Sequence, residues 1–160
     1  MAEARDAEAG LDTEAAELLG RIHAEQREVG ERIEPPADEA AIAELDATLR
    51  AQFGAGLPPG WAAFLRHCDG LDFNGFTLYA TRQRDGTAVM LGMPEQNFVF
   101  RAGARGARHL LLGETGDDYF AHDLTAGDFC VFGRATGSVY ERFPDASGLL
   151  RHVLATAWSA

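Results

Sequence analysis

No lysine occurs in this chain of 160 residues; all 14 of its basic residues are arginines. That absence reads as a genomic codon bias and carries no mechanism. Cysteine is nearly absent too, with Cys68 and Cys130 alone. A disulfide framework is not expected, and both are read as buried, reduced thiols. No apolar run approaches the ~20 residues that a membrane-spanning helix needs. The opening MAEARDAEAG has no basic stretch followed by an apolar one, so it is not read as a secretory signal, and a cytoplasmic protein is expected. The chain contains no CxxC, no P-loop and no GxSxG elbow. Its histidines, at 23, 67, 109, 122 and 152, include no pair at helical ligand spacing. Neither repeats nor low-complexity linkers are present.

What is abundant is negative charge. Aspartate and glutamate number 25, for a net charge of −11. Residues 1–60 hold 14 acids against 5 arginines, a balance of −9; residues 61–160 hold 11 against 9, a balance of −2. Such a chain is repelled by nucleic acid and by anionic membranes, so neither is expected as a partner. It is drawn instead to basic proteins.

The apolar spacing predicts helices first. Leu11, Ala15, Leu18, Ile22, Val29 and Ile33 form one stripe that opens at a possible Asp12 N-cap and should stop at Pro35-Pro36. Asp38 can cap a second helix with Ile42, Leu45, Leu49 and Phe53 inside and Gly54 after its end. Pro59 opens a short third one carrying Trp61, Phe64, Leu65 and Cys68 on its apolar face. After Gly70 the texture turns to β, with an Asn-Gly turn signal and a strand near 76–80. Residues 95–104 lean to a short helix. Strands follow at 109–113, 118–124, 129–133 and 138–143, joined by the turn-rich links ETGD, TAGD and ATGS. Links this short require antiparallel neighbours. A last helix, capped by Asp145 or Ser147, should bury Leu149, Leu150, Val153, Leu154 and Trp158. The predicted fold class is α+β: a mostly antiparallel sheet of four to five strands, packed on one side by N-terminal helices and a C-terminal helix.

The stretch LLLGETGDDYFAHDLTAGDFCVFGR, residues 110–134, raises the question of function, because it carries five acids and no arginine before Arg134. It lacks the D-x-[DN]-x-[DN]-G ladder of a calcium loop, so no metal is expected. Cys68 beside His67 is not a dyad, because neighbours on a helix point about 100° apart. Arg101, Arg105 and Arg108 could form a small basic patch, and a solvated helix face explains them as well. No catalytic residue and no cofactor is assigned. Recognition remains. The candidate partner-binding residues are Asp69, Asp72 and Phe73; Glu114, Asp117, Asp118 and Tyr119; and Asp123 and Asp128. Surface aromatics anchor interfaces, and acids beside them pair with a partner's basic groups. Truncating Glu114, Asp117 and Asp118 together should weaken partner binding and leave folding intact. The competing reading makes the acids solvated turns around a core of Phe120, Leu124, Phe129 and Phe132.

The run Leu57-Pro58, Trp61, Phe64-Leu65, Asp69-Gly70, Leu78-Tyr79 resembles the opening of the SUKH superfamily of Smi/Knr-like proteins. The later run Gly113-Glu114-x-Gly116-Asp117-x-x-Phe120-Ala121-x-Asp123-Leu124, closed by Phe143, Leu149, Leu150 and Leu154, is similar to its second half. The YrhA-like branch is nearest. Trp61 stands where the family carries tyrosine, and His122 where an aromatic is more frequent. The resemblance covers about residues 40–158. It divides the chain into an N-terminal helical extension, 1–37, and a SUKH-like domain, 38–160, forming one compact unit. It implies an α+β fold without catalysis and a role in neutralising a bacterial toxin by direct binding. Many such toxins are nucleases with basic clefts. The alternative it implies is a regulatory or scaffold module that recognises a peptide, a protein or a small ligand. A monomer is expected, with a homodimer left open.

Overall fold

The computed structural model describes residues 10–86, 89–103 and 106–160. The acidic start expected to fray, 1–9, and Arg105 of the candidate arginine patch lie outside the described residues. Three helices come first. Helix α1, Thr13–Glu28, starts where the Asp12 carboxylate accepts the backbone N–H of Ala15 at 3.1 Å. It buries Ala15, Leu18, Leu19 and Ile22. It ends at Glu28, well before Pro35, because the chain turns through Gly30 at φ +76°. Val29 therefore leaves the predicted stripe and is exposed.

Helix α2, Glu39–Phe53, runs between the predicted Asp38 cap and a left-handed Gly54, with Ile42, Leu45, Leu49 and Phe53 inside. Helix α3, Pro59–Leu65, has Trp61, Phe64 and Leu65 wholly buried. Each of those side chains contributes on the order of 2 kcal/mol by leaving water.

The fold class matches the α+β prediction, but the sheet has six strands where four to five were expected. They are β1 (Leu71–Phe73), β2 (Phe76–Leu78), β3 (His109–Glu114), β4 (Asp118–Asp123), β5 (Phe129–Gly133) and β6 (Val139–Phe143). All neighbours are antiparallel, and order in the sheet equals order in the chain. The unforeseen strand is β1. It pairs with β2 across Asn74 and Gly75, both at positive φ (50° and 81°), as a two-residue primed turn demands. Gly113 sits where β3 crosses β2, and a Cβ there would lie 2.5 Å from the Thr77 carbonyl oxygen. Only glycine permits that approach.

Helix α4, Met93–Ala102, lies against β3, on the side that β2 leaves open beyond Leu78. Helix α5, Ala146–Ser159, packs on β5, β6, α1 and α3. The helices are not confined to one side of the sheet as predicted. Phe100 of α4 meets Tyr119 and Phe132, while His152 of α5 meets Phe143. Phe132 and Phe143 project from opposite faces, because Phe143 pairs with Phe129, an odd number of residues from Phe132. Trp158 closes α5 partly exposed, at 37%. Its position at the last turn takes it past the packed face. Residues from α1 to α5 join in one hydrophobic cluster. Among the described residues no helix is long and apolar enough to cross a membrane.

Candidate functional site

Asp123 ends β4 with no solvent exposure. Its carboxylate accepts Arg108 at 3.0 and 3.2 Å, Arg142 at 3.1 Å, and the backbone N–H groups of Thr125 and Ala126 at 3.1 and 3.0 Å. Burial disfavours the charged form, yet these donors outweigh it and hold the carboxyl well below the usual aspartate range. Asp128 shares Arg142 at 2.8 Å. The pair therefore anchors the β4–β5 turn.

Glu114, at the end of β3, accepts the Tyr79 hydroxyl at 2.7 Å and Arg134 at 2.6 Å. Arg134 also lies over the Tyr119 ring, 4.8 Å from its centroid, and Phe100 meets that ring edge-on at 5.3 Å. Tyr119 is thus half-buried between an arginine and a phenylalanine. Burial, then the bond to Glu114, pushes the Tyr79 hydroxyl far up. Neighbouring Asp117 is exposed, and its carboxylate holds no donor among the described residues. Asp118 beside it is partly exposed, and burial followed by the Asp117 charge raises its carboxyl.

Asp69 accepts the backbone N–H and hydroxyl of Thr81 at 2.7 and 2.9 Å and lies 3.6 Å from Arg84, which also bonds the buried Glu34 at 2.8 Å. It fastens the 81–84 segment to the end of α3. Asp72 faces solvent. Phe73 is a core residue, 5% exposed, so it is placed inside rather than at the surface where an anchor would stand. The alternation of β1 directs Leu71 and Phe73 inward and Asp72 outward.

The nine candidates do not converge on one site. Asp69, Glu114, Asp123 and Asp128 hold internal bonds, Phe73 is core, Tyr119 is half-buried, Asp72 lies in β1, and Asp117 and Asp118 adjoin at the β3–β4 turn.

Reactive groups are quiet. Both cysteines are free and buried, and burial pushes the thiols up, Cys68 to about 12 and Cys130 to about 11. His67, by contrast, is exposed, while the adjacent Cys68 is buried. Burial lowers His23, His109 and His122. Among the described residues no group of three His, Cys, Asp or Glu is placed to hold a metal.

One depression on the surface was not foreseen from the sequence. A groove of about 780 Å³ runs between α2 and α4, closed at one end by residues 81–84. Leu45 forms its floor, Asp38 and Glu44 stand on the α2 side, and Phe98 and Val99 on the α4 side. Phe98 and Val99 are each 67% exposed. A signal existed in EQNFVF. A helix here buries Met93, Asn97 and Phe100 on one stripe, which leaves its two remaining apolar neighbours in water.

A scan against protein-family models finds no match for the chain, and a search of curated proteins finds none either.

Proposed function

We propose that this chain is a non-catalytic binding protein that captures a basic protein partner, as an immunity protein does in neutralising a bacterial toxin. One observation carries the reading. Eight arginines, at 32, 50, 66, 84, 108, 134, 142 and 151, are engaged in ion pairs within the chain. Glu17, Glu25, Glu28, Glu44, Asp72, Asp85 and Asp117 are exposed and have no ion-pair partner among the described residues. Against these seven, Arg21, Arg27 and Arg82 are the exposed arginines with no ion-pair partner among the described residues, so solvent meets an excess of negative charge. Such a field speeds capture of a cationic surface and can occupy a cleft built for phosphates. The toxin itself enters through the resemblance to SUKH proteins. A nuclease domain with a basic substrate cleft fits this chemistry, and the setting would be the cytoplasm.

The test is direct mixing with the toxin domain encoded beside this chain. A complex is expected at low salt, with affinity falling steeply as salt rises. No complex at low salt would end the proposal. A regulatory or scaffold module that recognises a peptide is the second reading, favoured by the groove between α2 and α4.

A further inference from the structure

We infer that the groove between α2 and α4 is the seat of a basic amphipathic helix supplied by the partner protein. The inference rests on the binding-protein reading above and assigns it a location. The groove is more than twice the volume of three other depressions among the described residues, which measure 330, 320 and 320 Å³. Its walls are two helices that present residues at three-to-four spacing, Ala41, Leu45 and Thr48 on one side and Glu95, Phe98 and Val99 on the other. That texture accepts the ridge of a third helix. Among the described residues, none of the groove's lining belongs to the six strands of the sheet, which favours a helix over an added strand.

The chemistry of the lining selects the occupant. Phe98 and Val99 offer two large apolar side chains at the mouth, well exposed and adjacent. Asp38 and Glu44 stand across from them, both exposed. Glu95 stands on the α4 wall one turn before Phe98 and Val99. One of its oxygens accepts the Gln83 backbone N–H at 3.1 Å, and the other is buried with no donor among the described residues. Of the two arginines in the lining, Arg84 is held by Glu34 and Asp69, which leaves Arg82 as the cation facing outward. An apolar stripe flanked by lysine or arginine complements this arrangement; an acidic helix, a nucleic acid or an anionic membrane opposes it. A second copy of the chain, at −11, opposes it too.

The experiment titrates the isotope-labelled full chain with an amphipathic Leu/Lys helix of about 18 residues, long enough to hold a helix. Controls are the same peptide scrambled to destroy its apolar stripe, and a Leu/Glu version. The amphipathic basic peptide should perturb amide shifts along residues 41–52 and 94–99 and bind more tightly than either control. Phe98→Ser with Val99→Ser should weaken it by about tenfold or more. Glu44→Arg should weaken it by several-fold, and Tyr140→Ser, on β6 and outside the groove lining, should leave it unchanged. Because these side chains are exposed, the variants should melt as the parent does. Shifts elsewhere, equal binding of the scrambled peptide, or an unaffected double variant overturn the groove. So does a dimer in sedimentation that the double variant disperses. A toxin complex insensitive to the double variant removes the groove and leaves the capture reading standing. A peptide seated in the groove without any toxin complex does the reverse.

Discussion

The side-chain amide of Asn97 clamps the backbone of Leu111 from both sides. Its Oδ1 accepts the Leu111 N–H at 2.7 Å, and its Nδ2 donates to the Leu111 carbonyl at 2.9 Å and to that of Met93 at 2.9 Å. Asn97 is wholly buried. It satisfies β3 at the point where β2 has ended, doing for one residue what a neighbouring strand would do. Replacing it by Ala orphans two buried backbone groups. Asn97→Ala should cost about 2–6 kcal/mol in urea unfolding, from ~1–3 kcal/mol for each of the two unsatisfied groups.

Glu114 and Asp117 separate in the same way that folding and recognition do. Glu114→Ala removes the acceptor of both Tyr79 and Arg134 and should destabilise the protein by about 2 kcal/mol, the scale of charge-assisted hydrogen bonds. Asp117→Ala touches no bond of its side chain and should stay within about 0.5 kcal/mol. The joint truncation expected to spare folding is therefore expected to spare it only when Glu114 is kept. Thermal melts of the two single variants decide the point.

Acid should find Asp123 early. Its folded-state pKa lies below the ordinary 3.8, so the unfolded chain takes up the proton first. Its stabilising contribution is complete above the ordinary aspartate range and is lost as pH falls through that range towards the folded value. Asp123→Asn should therefore be less stable than the parent at pH 7, and the gap should narrow below about pH 4. Parallel denaturation series over pH check this, and a gap that stays constant would contradict it.

Cys68 and Cys130 should be silent to a thiol reagent at pH 8. Both are fully buried, and thiols pushed up to about 12 and about 11 hold little thiolate there. Colour should develop only on unfolding, with two equivalents per chain.

Much of the frame was legible because it is local. Asp12, Asp38 and Asp145 cap helices as their positions predict, and the short links between 109 and 143 forced antiparallel pairing. Strand β1 was not legible, since three residues give a single alternation. The end of α1 was misplaced because the two prolines are a stronger written signal than Gly30. The site resisted for a different reason. Whether an acid is free or engaged depends on partners far along the chain, as with Glu114 and Tyr79, 35 residues apart. No spacing rule carries that information. Phe73 and Phe98 are chemically alike, yet one is core and the other is in water; the difference lies in what packs above each.

Sheet order that copies chain order has a bearing on assembly. The pairs β1–β2, β3–β4, β4–β5 and β5–β6 each close only a short link, so β3 to β6 can zip up one after another with little entropy lost per step; β2 reaches β3 only across residues 79–108, which hold α4. A far longer closure joins the ends of the fold: Arg151 of α5 reaches Asp12 at 3.1 Å, 139 residues away. A nascent meander must therefore wait, one face bare, until α5 and α1 find each other. In that interval the chain is most exposed to stray association, and a late-acting lesion in α5 would be felt as aggregation before it is felt as lost binding.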